Sequence, residues 1–377
     1  MKIGFLINYF YPRKGGAENN CFYLARELTK NHEVHVFTSL LKGTKKYEII
    51  DNLHIHRYKT LFRYRYYLSF TPGLIDILKY ELDILHVHSF GFVYHDLILM
   101  LKKILSTTKI INTPHGPFMV LKYYNYFQKL FKAVVGNFER RIANKFYDAV
   151  IQVNLEQYKW LTKYGIKKNK IHFAPNGILQ DSFKKIKNKD FTKKYNLENK
   201  FVISYLGRIQ RYKGLDQVIK IIPRLNKNVV FLIIGKDAGD ESRLKSLASN
   251  LRIRDRIIFT GEISDEEVIK GLSVSKIFIL PSEWEAFGIS ILQAMARGNT
   301  IISTRTEGGR FLVKENENGF LFNYNDLKDL ENKVKVLVTD KQALSKISKI
   351  NKEKAKQFLW ENIVKDLEKV YNKIIIY

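Results

Sequence analysis

Short β-branched or aliphatic runs alternate with longer amphipathic stretches along this chain, and they do so twice, which restricts it to α/β units built on parallel sheets. In the first half the strand-like runs are Lys2–Asn8, Glu33–Thr38, Leu53–Tyr58, Asp83–His88, Lys109–Thr113, Asp148–Val153 and Lys170–Ala174. Phe183 to Lys200 is rich in Lys and Asn and lacks sustained apolar periodicity, so it reads as the region of a domain junction. Alternation then resumes in Phe201–Leu206, Val229–Ile234, Ile257–Thr260, Lys276–Leu280 and Thr300–Ser303, with helical patterns such as Leu215–Leu225 and Glu241–Asn250 between them. Past Leu327 the pattern is helical, except for a strand-like end at Ile374–Tyr377. At 377 residues, two domains are expected, 1–180 and 181–357. Two doubly wound sheets in succession predict a cleft between them, with ligands at the carboxyl ends of the strands.

Composition narrows the function. The 64 Lys+Arg against 37 Asp+Glu leave a net charge of +27, which calls for a polyanionic partner: nucleic acid, an anionic membrane surface or a phosphorylated substrate. Part of that excess is a bias toward Lys that a solvated surface explains without a ligand. The single cysteine, Cys21, forms no intramolecular disulfide, which fits a reducing, cytoplasmic compartment. No apolar run is long enough to span a bilayer, and the N-terminal Ile3 to Phe10 reads as a first strand, not a signal peptide.

Four segments carry candidate chemistry. Gly15-Gly16-Ala17-Glu18 follows the first strand and opens a helix, so its amides can approach an oxyanion, although the dinucleotide Gly-x-Gly-x-x-Gly pattern is absent. His86 and His88 share one face of a strand, while His115, between Pro114 and Gly116, occupies a loop past another strand's end, where substrate-facing residues lie. A metal joining the three lacks the carboxylate or Cys ligands that usually accompany such a site, and a core role suits His86. Arg208 leaves the end of a strand and Lys213 precedes a helix, an arrangement that gathers cations around a diphosphate. In Pro281 to Gly298 a loop carries Glu285 and a helix begins near Phe287-Gly288, with Glu285 and Gln293 expected two turns apart along one side.

Taken together and in order, these motifs resemble the retaining group 1 (family 4) glycosyltransferases with the GT-B fold, two Rossmann-like domains facing a central cleft. The matching pieces are Gly15-Gly16-Ala17-Glu18, His86-Val87-His88, Thr113-Pro114-His115-Gly116, Pro175-Asn176-Gly177-Ile178, Gly207-Arg208 with Lys213-Gly214, and Pro281-Ser282 through Gly298. Thr306-Glu307-Gly308-Gly309 and Asn318-Gly319-Phe320-Leu321 resemble the closing motifs, and Trp360 opens what resembles a helix, about 358–377, crossing back to the first domain. The resemblance implies hexose transfer from a nucleotide-sugar to an acceptor hydroxyl, with retention, no metal and no cofactor. Arg208, Lys213 and the Gly16 backbone would stabilise the departing diphosphate. Glu285, with Ala286, Phe287 and Gly288, would hold donor-sugar hydroxyls, and His115 would orient the sugar or support charge near its ring. Phe259 to Ile263 would receive the nucleobase. Gln293 stands where the family carries a ribose-binding glutamate, keeping one carbonyl acceptor and losing the charge, so a catalytically impaired sugar-nucleotide or glycan-binding homologue is the alternative.

For the acceptor, Phe118 to Ala143 reads as an amphipathic helix after Pro117. Tyr124, Phe127, Phe131, Val134, Phe138 and Ile142 fall on one side, with Lys122, Asn125, Lys129, Lys132 and Arg140 opposite. Packing of that stripe on the first sheet is the ordinary expectation. Tyr123, Tyr126 and Tyr147 beside it, and a second cluster from Arg57 through Arg63, Tyr64, Arg65, Tyr66 and Tyr67, also suit anionic lipid. The expectation is a peripheral enzyme at the inner face of the cell membrane acting on a glycan or polyprenyl-linked acceptor. A nucleic-acid-binding protein is the competing class for such a charge, but no helix-turn-helix, RRM or zinc-finger pattern supports it.

Overall fold

The computed structural model describes residues 1–64, 68–88, 92–116 and 125–376. Arg65, Tyr66, Tyr67, Pro117, Phe118, Lys122, Tyr123 and Tyr124 lie outside the described residues. The chain divides into two compact units, Met1–Asn176 with Trp360–Tyr377 and Gly177–Leu359. The expected junction segment belongs to the second unit, where helix Lys189–Lys194 buries Phe191 in one apolar cluster with Val202, Val230 and Leu232.

In the first unit the strands are β1 (Lys2–Leu6), β2 (Glu33–Ser39), β3 (Tyr47–Ile50), β4 (Leu53–Tyr58), β5 (Phe62–Tyr64), β6 (Leu68–Phe70), β7 (Ile84–Val87), β8 (Lys109–Asn112), β9 (Ala149–Gln152) and β10 (Ile171–Phe173). Their main sheet has the order β10-β9-β8-β7-β1-β2-β4-β3, parallel except for β3, and β5 and β6 pair separately. Helix Gly16–Leu28 turns Cys21, Leu24, Ala25 and Leu28 onto this sheet. Helix Trp360–Ile376 adds Trp360, Ile363, Val364, Leu367 and Tyr371 to the same cluster, a spacing that makes one helical stripe. The chain end from Ile374 is therefore the last turn of that helix and not a strand, because Tyr371 anchors it inward.

Strands β11 (Phe201–Leu206), β12 (Val229–Ile234), β13 (Ile257–Gly261), β14 (Ile277–Leu280), β15 (Thr300–Thr304) and β16 (Gly319–Phe322) form the second sheet. The order is β13-β12-β11-β14-β15-β16, parallel throughout. β12, β14 and β15 are buried along their whole length, as a sheet covered on both faces requires. Strand order reverses between β11 and β14, which makes that point the ligand-binding position of a doubly wound sheet.

Behind β16 the Asn318-Gly319 motif is a structural lock. Asn318 donates to the carbonyl of Leu312 (3.0 Å) and to Asn351 Oδ1 (3.0 Å), and Asn351 donates to the carbonyls of Asn299 (2.8 Å) and Asn318 (2.9 Å). A Cβ on Gly319 would lie 2.4 Å from the Ile301 carbonyl oxygen, so only glycine lets β16 close on β15.

Helix Tyr126–Arg141 departs from expectation. Asn125 and Gln128 cap it reciprocally, but the helix turns Val135 and Glu139 inward. Gly136 packs on Tyr164, where a Cβ would lie 2.3 Å from the phenol oxygen, and Tyr164 donates to Glu139 (3.3 Å). This polar seam, with Lys132 half-buried against it, wins over the apolar stripe and leaves Phe127 (77% exposed), Phe131 and Val134 facing solvent. Tyr147, expected among the lipid-facing aromatics, is fully buried instead.

Replacing Asn351 by Leu strands the Asn318 amide and the Asn299 carbonyl, and should lower the unfolding free energy by about 3 kcal/mol in chemical denaturation.

Candidate active site

At the reversal point of the second sheet the chain leaves β11 through Gly207, Arg208 and a turn at Arg211–Lys213, and leaves β14 through Pro281 to Gly288. Three side chains and two glycines bring these loops together. Tyr205, buried in β11, donates to the Arg208 carbonyl (2.9 Å), and Gln217 donates to the carbonyls of Pro281 (3.0 Å) and Gly214 (3.3 Å). Thr304 of β15 donates to the Ser282 carbonyl (2.5 Å). Gly214 lies in the left-handed region (φ +65°), and a Cβ there would be 2.3 Å from the Pro281 carbonyl oxygen. Gly308 is equally tight against the Phe287 carbonyl (2.3 Å), and its N–H donates to the Glu285 carbonyl (2.9 Å).

The result is a direct ion pair between Lys213 Nζ and Glu285 Oε2 at 2.7 Å, with both side chains mostly buried. Burial opposes the Lys213 ammonium, but the Glu285 carboxylate together with the Tyr205 and Tyr212 phenols outweighs it and holds the group protonated above the ordinary lysine range. Arg208 is exposed nearby in sequence, and its guanidinium has no partner among the described residues. This corner thus offers a fixed cation, a second unpaired cation and an oriented carboxylate.

Glu285 sits in the loop before helix Ile289–Ala296, so it does not share a helix face with Gln293; Gly288, at φ +85°, makes the bend between them. Ala286 and Phe287 are buried, Phe287 against Phe311 and Phe358, while Gln293 is partly exposed. Phe259 lies in β13 with Lys245 over its ring (5.4 Å), and Ile263 packs on the β11–β12 side of the core.

In the first unit, the Gly15-Gly16 turn opens helix Gly16–Leu28. A Cβ on Gly15 would lie 2.3 Å from Glu18 Oε2, whereas Gly16 faces open space. The buried Glu18 carboxylate therefore already lies against this helix start, with Arg13 at 3.9 Å. Asn20 of the same helix donates to Asn176 Oδ1 (2.7 Å), which joins two of the sequence motifs.

His86, His88 and His115 stand in a row at the carboxyl ends of β7 and β8, their ring centroids 4.6 Å apart between His86 and His88 and 5.1 Å between His88 and His115. His86 bonds Tyr371 (2.5 Å) and Thr113 (2.7 Å), and His88 Nδ1 meets His115 Nε2 at 2.8 Å. Among the described residues no group of three His, Cys, Asp or Glu is arranged to hold a metal ion. His115 is in the left-handed region (φ +56°), an unusual conformation for a residue with a Cβ. Burial holds His86 and His115 down to about 3, and His88 well below its ordinary value for the same reason.

Among the cationic residues expected at an acceptor or membrane surface, Arg57 is a correction. It is buried, paired with Glu48 and bonded to the carbonyls of Tyr11 (2.8 Å) and Lys45 (3.2 Å), because β4 is covered on that side by the Tyr11 loop. Arg63 is exposed over the Tyr9 ring (4.6 Å), Lys129 is exposed, and Lys132 is partly buried, which pushes its ammonium down to about 8. The contributions of Tyr205, Gln217 and Asn20 are hidden in the sequence. Only their spacing from the flanking glycines hints at them, since buried polar residues within apolar runs carry no pattern of their own.

The neutral histidines imply an acid sensitivity. Unfolded, each takes up a proton near 6.5; folded, it resists until about 3, so the stability is complete above about 6.5 and declines as pH falls toward 3. Denaturation curves across that window should show the decline, with a shallower slope in His115→Gln.

A family model described as Glycosyl transferases group 1 matches residues 187–354, and one described as Glycosyltransferase Family 4 matches residues 14–180. N-acetyl-alpha-D-glucosaminyl L-malate synthase of Bacillus anthracis is 25% identical over 399 residues, covering 100% of this chain and 97% of that protein. The capsular polysaccharide biosynthesis glycosyltransferase CapM of Staphylococcus aureus is 29% identical over 58% of this chain and 60% of its own. Sucrose-phosphate synthase from Thermosynechococcus elongatus superposes with a TM-score of 0.83 at 20% identity, over 100% of this chain and 99% of its own. Anabaena HepE in complex with UDP-glucose does so with 0.80 at 17%, over 99% and 100%. With two successive family matches, one on each Rossmann-like unit, the chain belongs to the group 1 glycosyltransferases of GT-B fold.

Proposed function

We propose that this glycosyltransferase moves a hexose from a nucleotide-sugar to an acceptor hydroxyl with retention, on a lipid-linked or cell-surface polysaccharide intermediate. The Lys213–Glu285 pair carries the reading. A departing nucleoside diphosphate develops negative charge, and a lysine held protonated beside an unpaired Arg208 stabilises that charge without a bound cation. Glu285, fixed by the same pair, keeps its second oxygen for donor-sugar hydroxyls, assisted by the Phe287 and Gly288 backbone. By the family resemblance His115 would serve the sugar, Gly15 and Gly16 the phosphates, and Phe259 to Ile263 the base. Gln293 offers the ribose a neutral acceptor in place of a carboxylate. Two similar proteins support the donor and setting by name: HepE holds UDP-glucose, and CapM belongs to capsular polysaccharide biosynthesis.

The acceptor side follows from the exposed face of helix Tyr126–Arg141. Tyr126, Phe127, Leu130, Phe131 and Val134 make one apolar stripe on the surface, larger than a solvated face needs, and Lys129, Arg140 and Arg141 accompany it. Such a face suits the headgroup boundary of an anionic bilayer, each nearby basic residue contributing about 1 kcal/mol. No helix among the described residues is long and apolar enough to cross a membrane, so association through this face would be peripheral.

A thermal-shift screen against UDP-, GDP- and ADP-sugars is the test. One nucleotide-sugar at about 100 times its Kd should stabilise the protein by about 2.7 kcal/mol, and Arg208→Ala should reduce that shift. In parallel, flotation with phosphatidylserine vesicles should be lost in Phe127→Ser/Phe131→Ser while the melting temperature stays unchanged. If no sugar nucleotide raises the melting temperature, the transferase reading fails.

A further inference from the structure

The row of histidines in the first unit contains an asymmetry that decides where its protons lie. His88 Nδ1 and His115 Nε2 share one hydrogen bond at 2.8 Å, with the rings stacked at 5.1 Å. Among the described residues neither the buried His88 Nε2 nor His115 Nδ1 has a hydrogen-bond partner. Both rings are kept neutral by burial, so each carries one proton, and one of those lies between them.

Two arrangements satisfy that count. In one, His115 donates from Nε2, which puts the proton of His88 on Nε2, a buried N–H with no acceptor. In the other, His88 donates from Nδ1, its Nε2 is a bare lone pair, and the proton of His115 is on Nδ1. An orphaned buried N–H is the rarer and costlier defect, so the second arrangement is the stable one.

We propose that His88 is a positioning residue that locks His115 into the Nδ1–H tautomer, so that His115 presents a neutral hydrogen-bond donor to a substrate oxygen. That the oxygen is a hydroxyl of the donor hexose rests on the function proposed above; the tautomer does not. The fixed partner removes the ring's freedom to present a lone pair instead. The left-handed backbone at His115 and the Gln157 amide on its carbonyl (3.4 Å) hold the ring in place while His88 sets its proton. His86 takes no part, because Tyr371 and Thr113 occupy both of its nitrogens.

The experiment is ring-nitrogen NMR of the full chain carrying 15N-histidine, with His115 assigned by its loss in His115→Gln. A protonated Nδ1 and bare Nε2 on His115 are expected; the reverse pattern overturns the proposal. Asn at position 88 can place an amide N–H where Nδ1 was, Asp can only accept, and Leu can do neither. His88→Asn should therefore retain the Nδ1–H signature and recover most of the rate that His88→Leu loses. His88→Asp should move the His115 proton to Nε2 and lower kcat about 10–100-fold with little change in KM for the donor. Equal loss of kcat in the Asn and Leu variants contradicts a positioning role. Should His88→Asp not fold, the wild-type spectrum and the Asn–Leu comparison still decide. If the wild type turns over no sugar nucleotide, the transferase reading fails, and the spectrum alone upholds or overturns the tautomer.

Discussion

A lysine and a glutamate held 2.7 Å apart in a mostly buried corner set the terms for the second unit. Neither charge is tolerable there alone, since burying an isolated ion costs several kcal/mol, so the loops after β11 and β14 must arrive together or not at all. Everything around the pair enforces that meeting. Gly214 and Gly308 admit backbone contacts that any Cβ would block, Gln217 and Tyr205 tie the loops from within, and Thr304 reaches from β15 to hold Ser282. The parallel strand order, reversing between β11 and β14, is what points both loops to one place.

The first unit solves a different problem. The loops after β7 and β8 are stabilised without charge, by a row of neutral histidines whose outermost member sits on a strained backbone. The far end of that row is Tyr371, on the helix that returns from the end of the chain. The last seventeen residues before Tyr377 are thus part of the core beneath the histidines, and the packing of Trp360 and Leu367 is linked through Tyr371 to the strand that positions His88.

Much of this is legible in the sequence, and the rest is hidden for physical reasons. Strands such as β12 and β14, continuous runs of Val, Ile, Leu and Phe, announce a doubly covered parallel sheet, and the glycines beside Arg208, Lys213 and Glu285 mark turns where the chain comes close to itself. β16 is hidden because it begins at Gly319, which reads as a loop until the Ile301 carbonyl 2.4 Å from a would-be Cβ shows why no other residue fits. β3, a four-residue edge strand, and β5 and β6, two three-residue pieces, are too short to show a period. The pattern of the helix after Asn125 points its stripe inward, since periodicity measures amphipathicity and not which side is covered. Its buried face is chosen by Gly136, Glu139 and Tyr164, residues that no apolar pattern selects. Arg57 is hidden for the complementary reason: a charge in a basic-aromatic run looks solvated until its partner Glu48, nine residues earlier and across a strand pair, is in view.

The central claim is that Lys213 and Glu285 act as one unit on the leaving diphosphate and its sugar. A double-mutant cycle tests it most directly, with kcat/KM for the nucleotide-sugar measured in Lys213→Ala, Glu285→Ala and the combined variant. Each single change should cost about 100–1,000-fold, and the double should be little worse than either, because the second partner has no function once the first is gone. Losses that multiply, or a Lys213→Ala enzyme close to wild type, would contradict it.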